Sequence, residues 1–77
     1  MEEGLISYIA RNLVNDPEAV NVTKRDTRRT TILELSVASE DMGRVIGKNG
    51  RVANAMRDLL RAFPDADRSK RIILEIE

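Results

Sequence analysis

Two glycines three residues apart, Gly47 and Gly50, divide the strongest apolar pattern in the chain and force it to turn. Val45 and Ile46 precede them. Val52, Ala53, Met56, Leu59, Leu60 and Phe63 follow at spacings of one, three and four, the core-facing stripe of an amphipathic helix. The segment therefore reads as a short helix, a tight turn over Gly47-Lys48-Asn49-Gly50, and a longer helix that Pro64 stops. In this reading Gly47 takes the left-handed conformation that closes the first helix, and Gly50 caps the second.

The other elements follow from hydrophobic period. Leu5, Ile6, Ile9, Ala10, Leu13 and Val14 recur at helical spacing, which predicts a helix over 3–14, ended by Asn15-Asp16-Pro17. Val20 and Val22 alternate with polar residues, a short strand reaching Arg25, and 26–29 is a charged turn. Thr31 to Ala38 is the clearest strand, with Leu33, Leu35 and Val37 on one face. Ser39 is placed to cap the short helix, and Glu40 and Asp41 suit its first turn. Asp65 to Ser69 is a polar loop, and Ile72, Leu74 and Ile76 make a last strand. The order is helix, strand, strand, helix, helix, strand. The first two strands pair as a hairpin, and a crossover through two helices favours a parallel pairing of the last strand with the second. The expected fold is α+β: one domain over 1–77, a three-stranded mixed sheet with three helices on one face.

Composition narrows the chemistry. A chain of 77 residues buries only about 60% of its unfolded surface. With no cysteine, neither disulfides nor thiolate metal sites support it. With no histidine, the commonest general base and metal ligand are missing. No nucleophile–base pair or metal cluster can be assembled, so no enzyme, metal or cofactor is expected. Met1-Glu2-Glu3-Gly4 is not the start of a signal peptide, and no apolar run approaches the roughly 20 residues that cross a bilayer. A cytoplasmic protein without membrane attachment is the expectation.

Net charge is zero and the pI is about 6.3, which on its face argues against binding a polyanion. The distribution argues the other way. The first 42 residues hold five basic groups and eight acidic ones. Residues 43–71 hold eight basic groups (Arg44, Lys48, Arg51, Arg57, Arg61, Arg68, Lys70 and Arg71) against Asp58, Asp65 and Asp67. Positive charge is concentrated around the glycines. At Gly47-Lys48-Asn49-Gly50 the absent side chains allow a phosphodiester close to the backbone. The helix from Arg51 aims free N–H groups at the turn, and Lys48, Arg51 and Arg44 add full charges. A tight turn between helices, flanked by arginines that merely solvate a helix face, would use the same residues. Two other phosphate motifs are excluded. Gly43 and Gly47 have three residues between them where a P-loop has four, and Asn49 follows Lys48 where a hydroxyl is required. The dinucleotide fingerprint fails because residue 45 is valine.

Val45-Ile46-Gly47-Lys48-Asn49-Gly50-Arg51, between two helices in this element order, resembles the GxxG signature of the KH domain in its type II arrangement. With Glu40-Asp41-Met42-Gly43-Arg44 included, essentially the whole chain resembles the small bacterial single-KH-domain RNA-binding proteins, the KhpA family. The resemblance implies that Gly47, Lys48, Asn49 and Gly50 clamp the backbone of single-stranded RNA, flanked by Arg44 and Arg51. It implies that Val45, Ile46 and Ala53 form an apolar groove for unstacked bases, although Ile46 also suits the core. It places Pro64–Ser69 at the variable loop across the groove, where Arg68, Lys70 and Arg71 are additional phosphate contacts. It further implies an RNA chaperone or post-transcriptional regulator, linked to cell elongation or division. Such a protein would act as a homodimer, or as a heterodimer with a larger multidomain KH-containing RNA-binding protein. Zero net charge and small size also suit an adaptor whose fold serves mainly for dimerisation.

The remaining features have mainly structural readings. Tyr8 and Phe63 are the only aromatic residues, too few for a base-stacking platform. Phe63 and Met56 belong to the core stripe, while Tyr8 lies off the first helix's stripe. Lys24, Arg25, Arg28 and Arg29 around the hairpin are either a second phosphate contact or a solvated turn.

Overall fold

Alternation of apolar and polar residues from Thr30 to Ser36 makes this segment the central strand, since each neighbour in sequence points to the opposite face. In the computed structural model, which describes residues 2–62 and 70–77, Thr31, Leu33 and Leu35 on one face are buried, and Thr30, Ile32, Glu34 and Ser36 on the other are half-covered. The elements are α1 (Glu2–Leu13), β1 (Asn21–Asp26), β2 (Thr30–Ser36), α2 (Met42–Ile46), α3 (Arg51–Ala62) and β3 (Arg71–Ile76), with single 3₁₀ turns at Pro17–Ala19, Ser39–Asp41 and Lys48–Gly50. The sheet order is β1-β2-β3. β1 runs antiparallel to β2, with Val22 opposite Leu35 and Asp26 opposite Thr31. β3 runs parallel to β2, with Leu33 opposite Leu74. The α+β fold, its element order and its mixed sheet are as expected from the sequence.

Ile6 and Ala10 of α1, Val45 of α2, Met56 and Leu60 of α3, and Val20, Leu33, Leu35, Val37 and Leu74 from the sheet side form one buried cluster. Burying each Val, Leu, Ile or Met among them stabilises by about 1.5–3 kcal/mol. Polar ties then fix the helices on the sheet. Arg57 Nη2 on α3 donates to the Leu74 carbonyl of β3 at 3.1 Å. Asp41, only 2% exposed, accepts the backbone N–H groups of Asn15 and Asp16 at 3.2 and 3.1 Å. A carboxylate that satisfies two backbone donors holds the chain after α1 against the start of α2.

Some expectations are corrected. Leu59 is exposed, although the stripe assigned it to the core. Ala53, Met56 and Leu60 already face the sheet, and Leu59 lies about 100° around the helix from Leu60. Leu13 is exposed at the last turn of α1. Ser39 is no helix cap: it opens a 3₁₀ turn, its hydroxyl donates to Glu40, and α2 begins only at Met42. The core assignment of Phe63 and the loop from Pro64 to Ser69 lie outside the described residues.

Candidate nucleic-acid interface

The turn between α2 and α3 is built from three backbone irregularities within four residues. The Gly47 N–H donates to the Gly43 carbonyl at 2.9 Å, which closes α2. Gly47 itself has φ 78° and ψ 171°, a region essentially restricted to glycine and different from the left-handed helix closure expected. Asn49 is left-handed at φ 58° and ψ 25°, a conformation that asparagine adopts more readily than most residues. Gly50 has φ 75°, and its N–H donates to the Gly47 carbonyl at 3.2 Å. Arg51, with φ −62° and ψ −40°, then starts α3.

The two glycines are required for different reasons. A Cβ on Gly47 would stand 2.5 Å from Val52 Cγ2 and 2.9 Å from the Val52 backbone nitrogen. The first glycine thus answers to a contact inside the protein. A Cβ on Gly50 would meet only the Asn54 amide, at 3.9 Å. Beyond Gly50 the space is open.

Around this turn Lys48, Asn49 and Arg51 are exposed. Arg44 is exposed too, with its Nε 3.3 Å from Asp41 Oδ1. The buried Asp41 therefore orients Arg44 while it anchors the chain after α1. Lys48 and Arg51 have no carboxylate partner among the described residues. α3 is a helix of 12 residues whose first N–H, that of Arg51, donates to the Lys48 carbonyl, and its positive end lies next to the open space at Gly50.

The apolar side chains divide differently from expectation. Val45 is completely buried and Ala53 is 4% exposed, so both belong to the core and neither offers a base a surface. Ile46 and Val52 are half-buried and flank the turn. The sequence pattern places Val52 only in the core stripe, and its closeness to Gly47 carries no sequence signal. Lys70 and Arg71 are not brought to the glycine turn. They open β3 beside Thr30, at the end of the sheet where β2 begins, whereas the turn is reached from the end where β2 finishes. Arg68 lies outside the described residues.

Elsewhere, a shallow open depression of about 300 Å³ lies between α1 and β1, lined by Glu3, Ser7, Arg11 and Asn21 among others; it shares no residue with the turn. Among the described residues no helix is long and apolar enough to cross a membrane, and no group of three acidic side chains could hold a metal ion.

A GxxG turn joining two helices that cover one face of a β1-β2-β3 mixed sheet defines a KH domain of type II. The KH-domain model of the KhpA/KhpB family matches residues 3–76, and the chain belongs to that family. It is 55% identical over 76 residues to the RNA-binding protein KhpA of Treponema pallidum (strain Nichols), covering 99% of this chain and 94% of that protein. The identity is 49% to the RNA-binding protein KhpA of Listeria monocytogenes, covering 99% and 97%. It is 47% to that of Caldanaerobacter subterraneus, covering 94% and 95%. No solved structure matches the chain.

Proposed function

We propose that this protein is a non-catalytic single-stranded RNA-binding module whose Gly47-Lys48-Asn49-Gly50 turn clamps the sugar-phosphate backbone. The observation that carries the reading is bare backbone and unneutralised charge at one turn. The space beyond Gly50 is open, and Lys48 and Arg51 stand beside it without a carboxylate partner among the described residues. Arg44 flanks it, and the positive end of the α3 dipole favours a phosphate at the same place. Half-buried Ile46 and Val52 provide a small apolar surface for an unstacked base.

One such turn holds about four nucleotides, which limits both affinity and sequence information. That limit supports action alongside a second RNA-binding site, in a homodimer or with a larger multidomain KH-containing protein, as an RNA chaperone or post-transcriptional regulator in the cytoplasm. The adaptor reading draws on Leu59 and Tyr8, which are 48% and 69% exposed.

Replacing Lys48 and Asn49 together with aspartate tests the proposal. The circular dichroism spectrum is expected to persist, because both side chains are exposed, and single-stranded RNA binding to be lost. Binding that survives the double substitution and does not weaken with salt refutes the clamp, since phosphate contacts release counterions.

A further inference from the structure

Among the described residues, the hairpin end of the sheet gathers six basic ones: Lys24, Arg25, Arg28, Arg29, Lys70 and Arg71. The structure separates them into two sets. Lys24 Nζ lies 3.4 Å from Glu2 and 3.8 Å from Asp26, Arg25 Nε lies 3.3 Å from Glu34, and Lys70 Nζ lies 3.4 Å from Asp26. These three are neutralised. Arg28, Arg29 and Arg71 are exposed and have no carboxylate partner among the described residues.

The three unpaired arginines are held together by backbone geometry. The Thr27 N–H donates to the Thr30 carbonyl at 2.8 Å, and the Thr30 N–H donates to the Thr27 hydroxyl at 3.0 Å. This doubly tied turn puts Arg28 and Arg29 at its two central positions. The Arg71 N–H donates to the Arg29 carbonyl at 2.9 Å, which joins the start of β3 to the same turn. Three like charges on a fixed framework repel one another, and a shared polyanion relieves that repulsion. The guanidinium fork pairs in bidentate fashion with phosphate.

We propose that Arg28, Arg29 and Arg71 form a second phosphate-binding site, which holds backbone nucleotides of single-stranded RNA beyond those at the glycine turn. The inference rests on the RNA-binding reading above. β2 spans about 20 Å between the two ends of the sheet. At 3.4 Å per stacked nucleotide, a strand needs about six more nucleotides beyond the four at the turn to touch both sites. Short RNA therefore engages the glycine turn alone, and longer RNA engages both.

The test compares oligouridylates of about five and about twenty nucleotides, titrated against the wild-type protein, R28Q/R29Q/R71Q and K48D/N49D across a salt series. Each phosphate contact on a single strand contributes about −0.7 to the slope of log K against log salt, so three lost contacts lower that slope by about 2 for the long oligonucleotide. Between 50 and 200 mM salt this is about a 16-fold difference in how much affinity is lost. Binding of the short oligonucleotide is expected to stay unchanged in the arginine variant and to disappear in K48D/N49D. If the long oligonucleotide keeps its full salt slope in R28Q/R29Q/R71Q, the second site is refuted while the clamp stands. If the wild-type protein binds neither RNA, both readings fall together. If poly-glutamate displaces the long RNA from the wild type but not from the arginine variant as effectively as unlabelled RNA does, the surface belongs to an acidic protein and the proposal is overturned. R28Q/R29Q alone, confined to the turn, gives the same slope test with a loss of about 1.4 should the Arg71 substitution disturb β3.

Discussion

Alanine at Gly47 and alanine at Gly50 add the same methyl group to the same turn, and the structure predicts very different consequences. At Gly47 the new carbon meets Val52 Cγ2 at 2.5 Å and the Val52 nitrogen at 2.9 Å. Turning the Val52 side chain relieves only the first contact, because the second is backbone, and a β-branched side chain in a helix has few rotamers to turn into. The backbone at φ 78° and ψ 171° adds strain of about 1–3 kcal/mol. Overpacking contributes about 1–3 kcal/mol more, for a total of about 2–6 kcal/mol. A chain of this length has a stability of about 4–12 kcal/mol, so Gly47→Ala is expected to remove a large part of it. At Gly50 the nearest atom is 3.9 Å away and only the positive φ opposes alanine, at about 1–2 kcal/mol. Urea unfolding followed by circular dichroism measures both values on one scale. RNA titration of the still-folded Gly50→Ala variant is expected to show weakened binding, because its methyl group occupies the open space assigned to the phosphodiester. Equal destabilisation by the two substitutions would refute the argument that Gly47 is required by Val52.

Asp41→Ala is expected to cost about 2–3 kcal/mol by thermal or urea unfolding, since the Asn15 and Asp16 N–H groups lose a charged acceptor. Arg44→Ala, which removes only an exposed partner of the same carboxylate, is expected to cost under about 1 kcal/mol. The Asp26 carboxyl is held below its ordinary pKa, first by the Thr31 hydroxyl at 2.7 Å and then by Lys70 and Lys24. A depressed acid contributes stability above its unfolded pKa and loses it as pH falls through the folded value. The wild type should therefore lose stability more steeply than Asp26→Asn below about pH 4, as pH-dependent melting would show. The Lys24 ammonium is raised, chiefly by its hydrogen bond to Glu2, so its contribution is present below its ordinary pKa and lost as pH rises through the folded one. The melting curve should fall again above about pH 10, and Lys24→Met should flatten that limb.

The elements legible in the sequence are those whose period is sustained. β2 shows strict alternation and α3 a stripe of Ala53, Met56 and Leu60, so both were recoverable from side-chain pattern. The parallel pairing of β3 followed from the length of the crossover. What was hidden depends on contacts between residues remote in sequence or on backbone angles. Asp41 reads as an ordinary first-turn acid, and only the fold brings it to Asn15 and Asp16, more than twenty residues earlier. Ser39 reads equally well as a cap, yet it opens a 3₁₀ turn and α2 begins only at Met42. Spacing also cannot separate Leu59 from Leu60, since each lies three or four residues from Met56; which one faces the sheet is set by the helix's rotation about its axis. At the glycine turn the positions of Gly47 and Gly50 were visible. That one answers to Val52 and the other to open space was not.

Net charge misleads about this chain because it counts neutralised and unneutralised groups alike. Lys24, Arg25 and Lys70 spend their charge on Glu2, Asp26 and Glu34, which leaves those acidic groups without influence on a distant ligand. Arg61 and Asp58 cancel locally on the exposed side of α3. Among the described residues, Lys48 and Arg51 are left unpaired at the turn, and Arg28, Arg29 and Arg71 at the hairpin end. Screening at about 0.1 M salt limits a charge's reach to about 10 Å, so an approaching strand responds to whichever set it is near and not to the molecular total. A protein with equal numbers of acidic and basic residues can thus present two cationic ends. Exchanging Glu34 for glutamine would free Arg25 and add a full charge at the hairpin end. If the hairpin end contacts phosphate, that substitution should steepen the salt dependence of long-RNA binding while leaving short-RNA binding unchanged. If it steepens neither, the sorting of charge by ion pairs does not govern binding.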